Sequence, residues 1–254
     1  MKGRRVLVTS PDAEALLALL ATRGIHAIHV PTIEIRPATG RGLGRALDQA
    51  DVYDWIVVTS ANGVAAIFDR LRERGAPPPA SVKWAAVGPK TAAARAARGV
   101  TAGHVPEEAI GAAIPDGMGP LEGARVLLAR AGGAGSDLPR ILRARGARVD
   151  DVTAYETAEG PETSRAGIES ALDAGLDAAI FTSGSTARGF VRLAGSAGAL
   201  GEAPAVCIGP STAKAANHAG FRRVAVARQP TPQGLIAALE TALGGADRIP
   251  KDLR

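Results

Sequence analysis

"VCIGPSTAKAANHAGF", residues 206–221, runs an apolar strand into Gly209-Pro210 and then sets Ser211 and Thr212 at the head of an alanine-rich helix. "WAAVGPKTAAARAARGV", residues 84–100, has the same order: a strand, Gly88-Pro89, then Lys90 and Thr91 opening a helix. Working outward, strand-like runs alternate with amphipathic helical ones: "RRVLVTS" then "AEALLALLATRG", "DWIVVTS" then "NGVAAIFDRLRERG", and later "ARVLLAR" then "SDLPRILRARG", "DAAIFTS" then "STARGFVRLAG". Such alternation predicts an α/β fold with parallel strands and short connections. The two series run in register. Val6 matches Val126, Thr59 matches Thr182, Gly88 matches Gly209 and Thr91 matches Thr212, at an offset of roughly 120 residues, which is domain scale rather than solenoid scale. The expectation is two similar parallel-sheet lobes, duplicated and flavodoxin- or Rossmann-like.

Two segments stand apart from the alternation, "PTIEIRP" (31–37) and "VTAYET" (152–157), both extended by pattern and rich in β-branched residues. If they pair as a two-stranded connector, lobe one is discontinuous, residues 1–35 plus 157–254, and lobe two, residues 36–156, is inserted into it. "GAPPPAS" (75–81), "PDGMGPLEG" (115–123) and "GRGLGR" (40–45) read as loops.

The chain has 254 residues, 46% hydrophobic and only 3% aromatic, so its cores must rest on Ala, Val, Leu and Ile. Few aromatics also argue against a base-stacking nucleic-acid platform. Cys207 is the single cysteine and reads as a small buried hydrophobe, without a disulfide partner. The apolar run after "MKGRR" is too short for a signal-peptide core, and no stretch approaches a membrane span, so a cytoplasmic protein is expected. A net charge of +5 fits either solvated helix faces or attraction of a polyanionic ligand.

In open parallel sheets, ligands gather outside the carboxyl ends of the strands. Small hydroxyls recur there: Thr9-Ser10, Thr59-Ser60, Thr182-Ser183 with Ser185 and Thr186, and Ser211-Thr212. Singly, each reads as a helix cap worth about 1 kcal/mol. Together with the helix amino ends they form rims suited to carboxylates or phosphates. "ARAGGAGSDL" (129–138) resembles a dinucleotide fingerprint but carries Leu138 where the third glycine belongs. His26, His29, His104 and His218 lack partners at metal-ligand spacing, so metal chemistry is unsupported. Of the two tyrosines, Tyr53 reads as packing. Tyr155 lies in the proposed connector, where packing and catalysis stand level on the residues alone.

The ordered set "VLVTSP", "PTIEIRP", "DWIVVTSANGV", "AAVGPKTA", "VTAYET", "AAIFTSGSTARGF", "CIGPSTAKA" and "QPTPQGLIAAL" resembles the uroporphyrinogen-III synthase family over essentially the whole chain. The resemblance implies two α/β lobes joined by a two-stranded ladder, an active site in the cleft between them, and conversion of hydroxymethylbilane, an octacarboxylate, to uroporphyrinogen III without metal or organic cofactor. It implies a catalytic role for Tyr155. It also implies substrate contacts from Thr59, Ser60, Gly88, Lys90, Thr91, Arg130, Thr182, Ser183, Gly184, Ser185, Ser211 and Thr212. A monomer with no nucleic-acid or membrane partner is expected. Many relatives read VTRP near the start, and here Ser10 takes that arginine's place; Arg130 or Lys90 is expected to compensate. The competing class is a non-catalytic bilobed anion-binding or sensor module.

Overall fold

The computed structural model describes residues 2–101, 103–107 and 110–244; residues 245–254 of the expected lobe one lie outside the described residues. The elements in chain order are β1 (Arg5–Val8), α1 (Glu14–Thr22), β2 (His26–His29), β3 (Ile33–Pro37), α2 (Gly42–Asp48), β4 (Trp55–Val58), α3 (Ala61–Glu73), β5 (Lys83–Ala86) and α4 (Pro89–Ala96). They continue as β6 (Arg125–Ala131), α5 (Asp137–Ala144), β7 (Arg148–Glu159), α6 (Arg165–Asp173), β8 (Ala178–Phe181), α7 (Gly184–Ala194), β9 (Ala205–Cys207), α8 (Pro210–Ala219), β10 (Val224–Val226) and α9 (Pro232–Gly244). The chain divides into two compact units. The first is Met1–Glu34 with Ala158–Arg254, and the second is Ile35–Thr157.

The first unit holds a sheet ordered β10-β9-β8-β1-β2, and the second a sheet ordered β3-β7-β6-β4-β5. Within the first sheet every printed pair is parallel. In the second, β4 pairs in parallel with β5 and β6, and β6 with β7. Beyond β5, His104 makes a single parallel bridge to Ala85, the place β10 occupies beside β9 in the first sheet. The two sheets therefore repeat one flavodoxin-like order, with β4, β5 and β6 standing for β8, β9 and β1.

Alternation along each strand sends neighbours to opposite faces, so each sheet has two cores. In the first, Leu7, Ala179 and Phe181 face Phe190 of α7 and Ala216 of α8, while Val6, Val8 and Ile180 face Leu16 of α1 and Leu239 of α9. In the second, Ile56 and Val58 face Val64 and Ile67 of α3, while Val57 and Leu128 face Leu138 and Leu142 of α5.

Two segments differ from the sequence expectation. "GRGLGR" runs into helix α2, because Leu43 and Leu47, one turn apart, bury their side chains. Within 115–123, Pro115, Met118 and Leu121 are buried at the end of a 3₁₀ turn (Gly111–Gly117), so this stretch is partly core. "VTAYET" is the latter half of a longer strand that begins at Arg148.

Candidate functional site

The second unit's carboxyl edge is built around Ser60 and Tyr155. Ser60 follows β4 in an extended conformation, and its Oγ accepts the Gly63 N–H at 3.1 Å as the N-cap of α3. Tyr155 lies on β7. A register shift between Arg130 and Ala131 brings it opposite Ala131, and the Gly132 N–H donates to its carbonyl at 2.8 Å. Its ring is 8% exposed and belongs to the core facing α3, while its hydroxyl lies 2.9 Å from Ser60 Oγ. Since Ser60 Oγ already accepts from Gly63, its own proton is available to Tyr155 Oη. That arrangement frees the phenolic proton for a ligand and stabilises negative charge that develops on the phenol oxygen.

Beside Tyr155 is a hollow of about 370 Å³ whose lining includes Arg36, Asn62, Arg70 and Glu73. Arg70 pairs with Glu73 at 3.0 Å. None of these three polar neighbours was singled out from the sequence. Asn62 and Arg70 are eight positions apart on α3, so helical spacing from Ser60 was the available signal.

The other expected residues of this unit sit on the same edge. Thr59 is half-buried after β4. Gly88 is the N-cap of α4, Lys90 is exposed on its first turn, and Thr91 is buried. Arg130 departs from its expected role in replacing the family arginine. Its Nε and Nη2 donate to the two Asp151 oxygens at 2.7 and 2.6 Å, and Nη1 donates to the Gly135 carbonyl. With its side chain 11% exposed, this fork is already filled and ties β6 to β7 and the following turn. The bond to Asp151 holds the guanidinium above its ordinary pKa, against the effect of burial.

In the first unit the matching edge carries Thr182, Ser183, Gly184 and Ser185 after β8, and Ser211 and Thr212 after β9. Ser183 and Thr186 form a capping box: Ser183 Oγ accepts the Thr186 N–H at 3.1 Å, and Thr186 Oγ1 accepts the Ser183 N–H at 3.2 Å. Ser185 Oγ accepts from Arg188 at 3.2 Å. Gly184 has a packing reason, since a Cβ there would lie 2.8 Å from that of Ala215 on α8. Ser211 and Thr212 are not caps. Gly209 caps α8 without a side-chain bond, Pro210 opens the helix, and the two hydroxyl residues follow, Ser211 exposed and Thr212 buried. No side chain covers the helix end, because nothing lies within 4 Å of where a Gly209 Cβ would be.

Thr9 is buried with its hydroxyl committed to the Ile180 carbonyl at 2.7 Å. The Ser10 carbonyl is 2.8 Å from His29 Nε2 on β2. Tyr53 packs as expected and donates to Asp150 at 2.7 Å; burial first, and the Asp150 carboxylate second, push its pKa to about 12. Burial raises the Cys207 thiol to about 12 as well, consistent with an inert side chain. No described helix is long and apolar enough to cross a membrane.

Comparison with known proteins decides the family. The model of the family described as uroporphyrinogen-III synthase HemD matches residues 14–237. The chain belongs to the uroporphyrinogen-III synthase family. It is 30% identical over 249 residues to a putative uroporphyrinogen-III synthase of Methanothermobacter thermautotrophicus, covering 93% of this chain and 98% of that one. It is 32% identical over 250 residues to the porphyrin biosynthesis protein HemD of Ruminiclostridium josui, covering 96% of this chain and 49% of the relative. The chain thus spans about half the length of the latter. Among solved structures, uroporphyrinogen-III synthetase from Helicobacter pylori superposes with a TM-score of 0.63 at 17% identity, over 96% of this chain and all of that one. A mutant uroporphyrinogen III synthase from Thermus thermophilus gives 0.61 at 21%, with 96% and 100% covered. At these identities the structures speak for the synthase fold.

Proposed function

We propose that the protein is a cyclising hydro-lyase that converts hydroxymethylbilane to uroporphyrinogen III, acting as a monomer in the cytoplasm. The observation that carries this reading is the Tyr155–Ser60 contact at the carboxyl edge, in a chain of this family. Loss of the hydroxyl from ring A leaves a cationic azafulvene, and the free substrate then closes head to tail to give the type I isomer. The type III product requires attack at the substituted carbon of ring D, through a spiro-pyrrolenine that breaks and recloses with the ring inverted. Positioning therefore does most of the work. Tyr155 donates the proton that accompanies departure of water, and Ser60 O–H stabilises the phenol oxygen as it loses that proton. The helix amino ends after Ser60, Gly88, Ser183 and Gly209, with Thr59, Lys90, Thr91, Thr182, Ser211 and Thr212, supply donors for substrate carboxylates.

The uncatalysed closure supplies an internal clock with a different product. Tyr155→Phe should stay folded and bind substrate while kcat falls about 10²–10⁴-fold, the usual contribution of general acid catalysis. The product mixture should shift toward type I, with any enzyme-bound turnover still giving type III. Chromatography of the oxidised porphyrin isomers over a range of enzyme concentrations separates the two routes. Full rate with pure type III product would remove Tyr155 from the chemistry.

A further inference from the structure

The reaction proposed above uses the carboxyl ends of the strands. A different cavity, of about 790 Å³, lies in the second unit beside β5 and toward the opposite ends of β4 and β5. Its walls include Trp55 and Lys83, which begin those strands, Trp84, the proline-rich residues 78–79 and the segment that carries Thr101 and His104. The chain has two tryptophans, and both line this cavity.

Among the described residues, the buried side-chain nitrogens without a hydrogen-bond partner are Trp84 Nε1, Arg95 Nε and Nη1, and His104 Nε2. They gather here. Trp84 and His104 line the cavity, and Arg95 reaches its wall from α4, where Nη2 donates to the Thr101 carbonyl at 3.3 Å. Arg95 is only 2% exposed. Its guanidinium lies against Gly103, where any Cβ would collide with Nη1, so the glycine makes the room the charge occupies. An ionised group shut away from water without a counter-charge is costly, and burial accordingly lowers the Arg95 pKa. Apolar and aromatic walls with a few convergent donors are what small organic ligands require, and the volume is in their range. Three of the four orphaned atoms, on Arg95 and Trp84, are donors only, which selects an acceptor-rich, negatively charged head.

We propose that this cavity is a second binding site, for an organic anion with a flat apolar body and a carboxylate or phosphate head. The head takes the free N–H groups of Arg95, and the body lies against Trp84.

The test uses the full chain titrated with benzoate and with phenyl phosphate, benzyl alcohol and chloride at matched ionic strength serving as controls. Intrinsic tryptophan emission reports the site, because Trp55 and Trp84 are its walls. A saturable change with at least one of the two anions, absent with both controls, is expected, and the tighter probe identifies the head group. Arg95→Met should leave a folded protein with an equal or higher Tm, since it removes an uncompensated buried charge, and should weaken the responding probe at least about tenfold. Arg95→Lys, which keeps the charge but loses the Nε donor, should weaken it several-fold and serves if the methionine variant fails to fold. Tyr155→Phe should bind the probe as the parent does, separating this cavity from the carboxyl edge. A parent protein that shows no saturable emission change, or Arg95 variants that bind within twofold of the parent, would overturn the proposal.

Discussion

Ser60→Ala is the most informative single change, because one oxygen serves two partners of different kinds. As N-cap of α3 it accepts the Gly63 N–H at 3.1 Å, a bond whose loss costs about 1 kcal/mol. It also meets the Tyr155 hydroxyl at 2.9 Å, and Tyr155 is 8% exposed. Leaving a buried hydroxyl without its partner costs about 1–3 kcal/mol, whereas Tyr155→Phe removes the hydroxyl and the need together and costs nearer 1 kcal/mol. Ser60→Ala should therefore destabilise by about 2–3 kcal/mol, and the double variant by no more than about 2, so the two changes couple by roughly 1 kcal/mol. Urea denaturation of the four proteins measures the cycle. In activity, Ser60→Ala should lower kcat less than Tyr155→Phe does, and in the Tyr155→Phe background it should add little. Strictly additive stabilities, together with independent effects on kcat, would refute the claim that the serine acts through the phenol.

Three further outcomes follow from the same geometry. Asp177 is partly buried, which acts to raise its pKa, but the Arg5 N–H at 2.7 Å and the Arg4 guanidinium at 2.8 Å outweigh that and hold it below the ordinary carboxylate value. A depressed folded-state pKa stabilises above the unfolded pKa and is lost as pH falls through the folded one. Asp177→Asn should therefore cost on the order of 1 kcal/mol at pH 7, after allowance for solvent screening, and nothing under strongly acidic conditions. Thr212→Ala removes no cap bond, so stability should change by less than about 1 kcal/mol, while KM for hydroxymethylbilane rises; unchanged kinetics would make Thr212 a packing residue only. Raising salt should lower kcat/KM, since attraction between a +5 chain and an octacarboxylate is screened over about 10 Å at 0.1 M, and a flat dependence at constant stability would exclude steering by charge.

What was legible in the sequence was what repeats locally. The Gly-Pro pairs at 88–89 and 209–210 marked two helix starts, and the alternating runs marked the strands, because period and punctuation act over a few residues. The same local view misassigned Ser211 and Thr212 as caps, since it could not tell that Gly209 already fills that position. Contacts between distant residues were hidden. Ser60 and Tyr155 are 95 positions apart, and no local pattern announces their bond. Arg130 looked free for a ligand because Asp151, its partner, lies on the next strand, and the two meet only once β6 and β7 pair. Asp150 and Asp151 were noticed only as a possible ribose clamp; in the folded chain they hold Tyr53 and Arg130.

The position of β1 has a consequence for the order of assembly. It lies between β2, which follows at once, and β8, which the ribosome delivers much later: Arg5 and Asp177, joined at this seam, are 172 positions apart. Until then β1 has one neighbour and an open edge. The intervening unit is complete once Thr157 has emerged, and it brings β3 beside β7, which draws the two points where the chain enters and leaves it into one sheet. Closing a loop costs entropy that grows with the free length between its ends. A folded insert removes most of that length, so the late-arriving β8 finds its partner through a short tether, and the second unit acts as a template for completing the first.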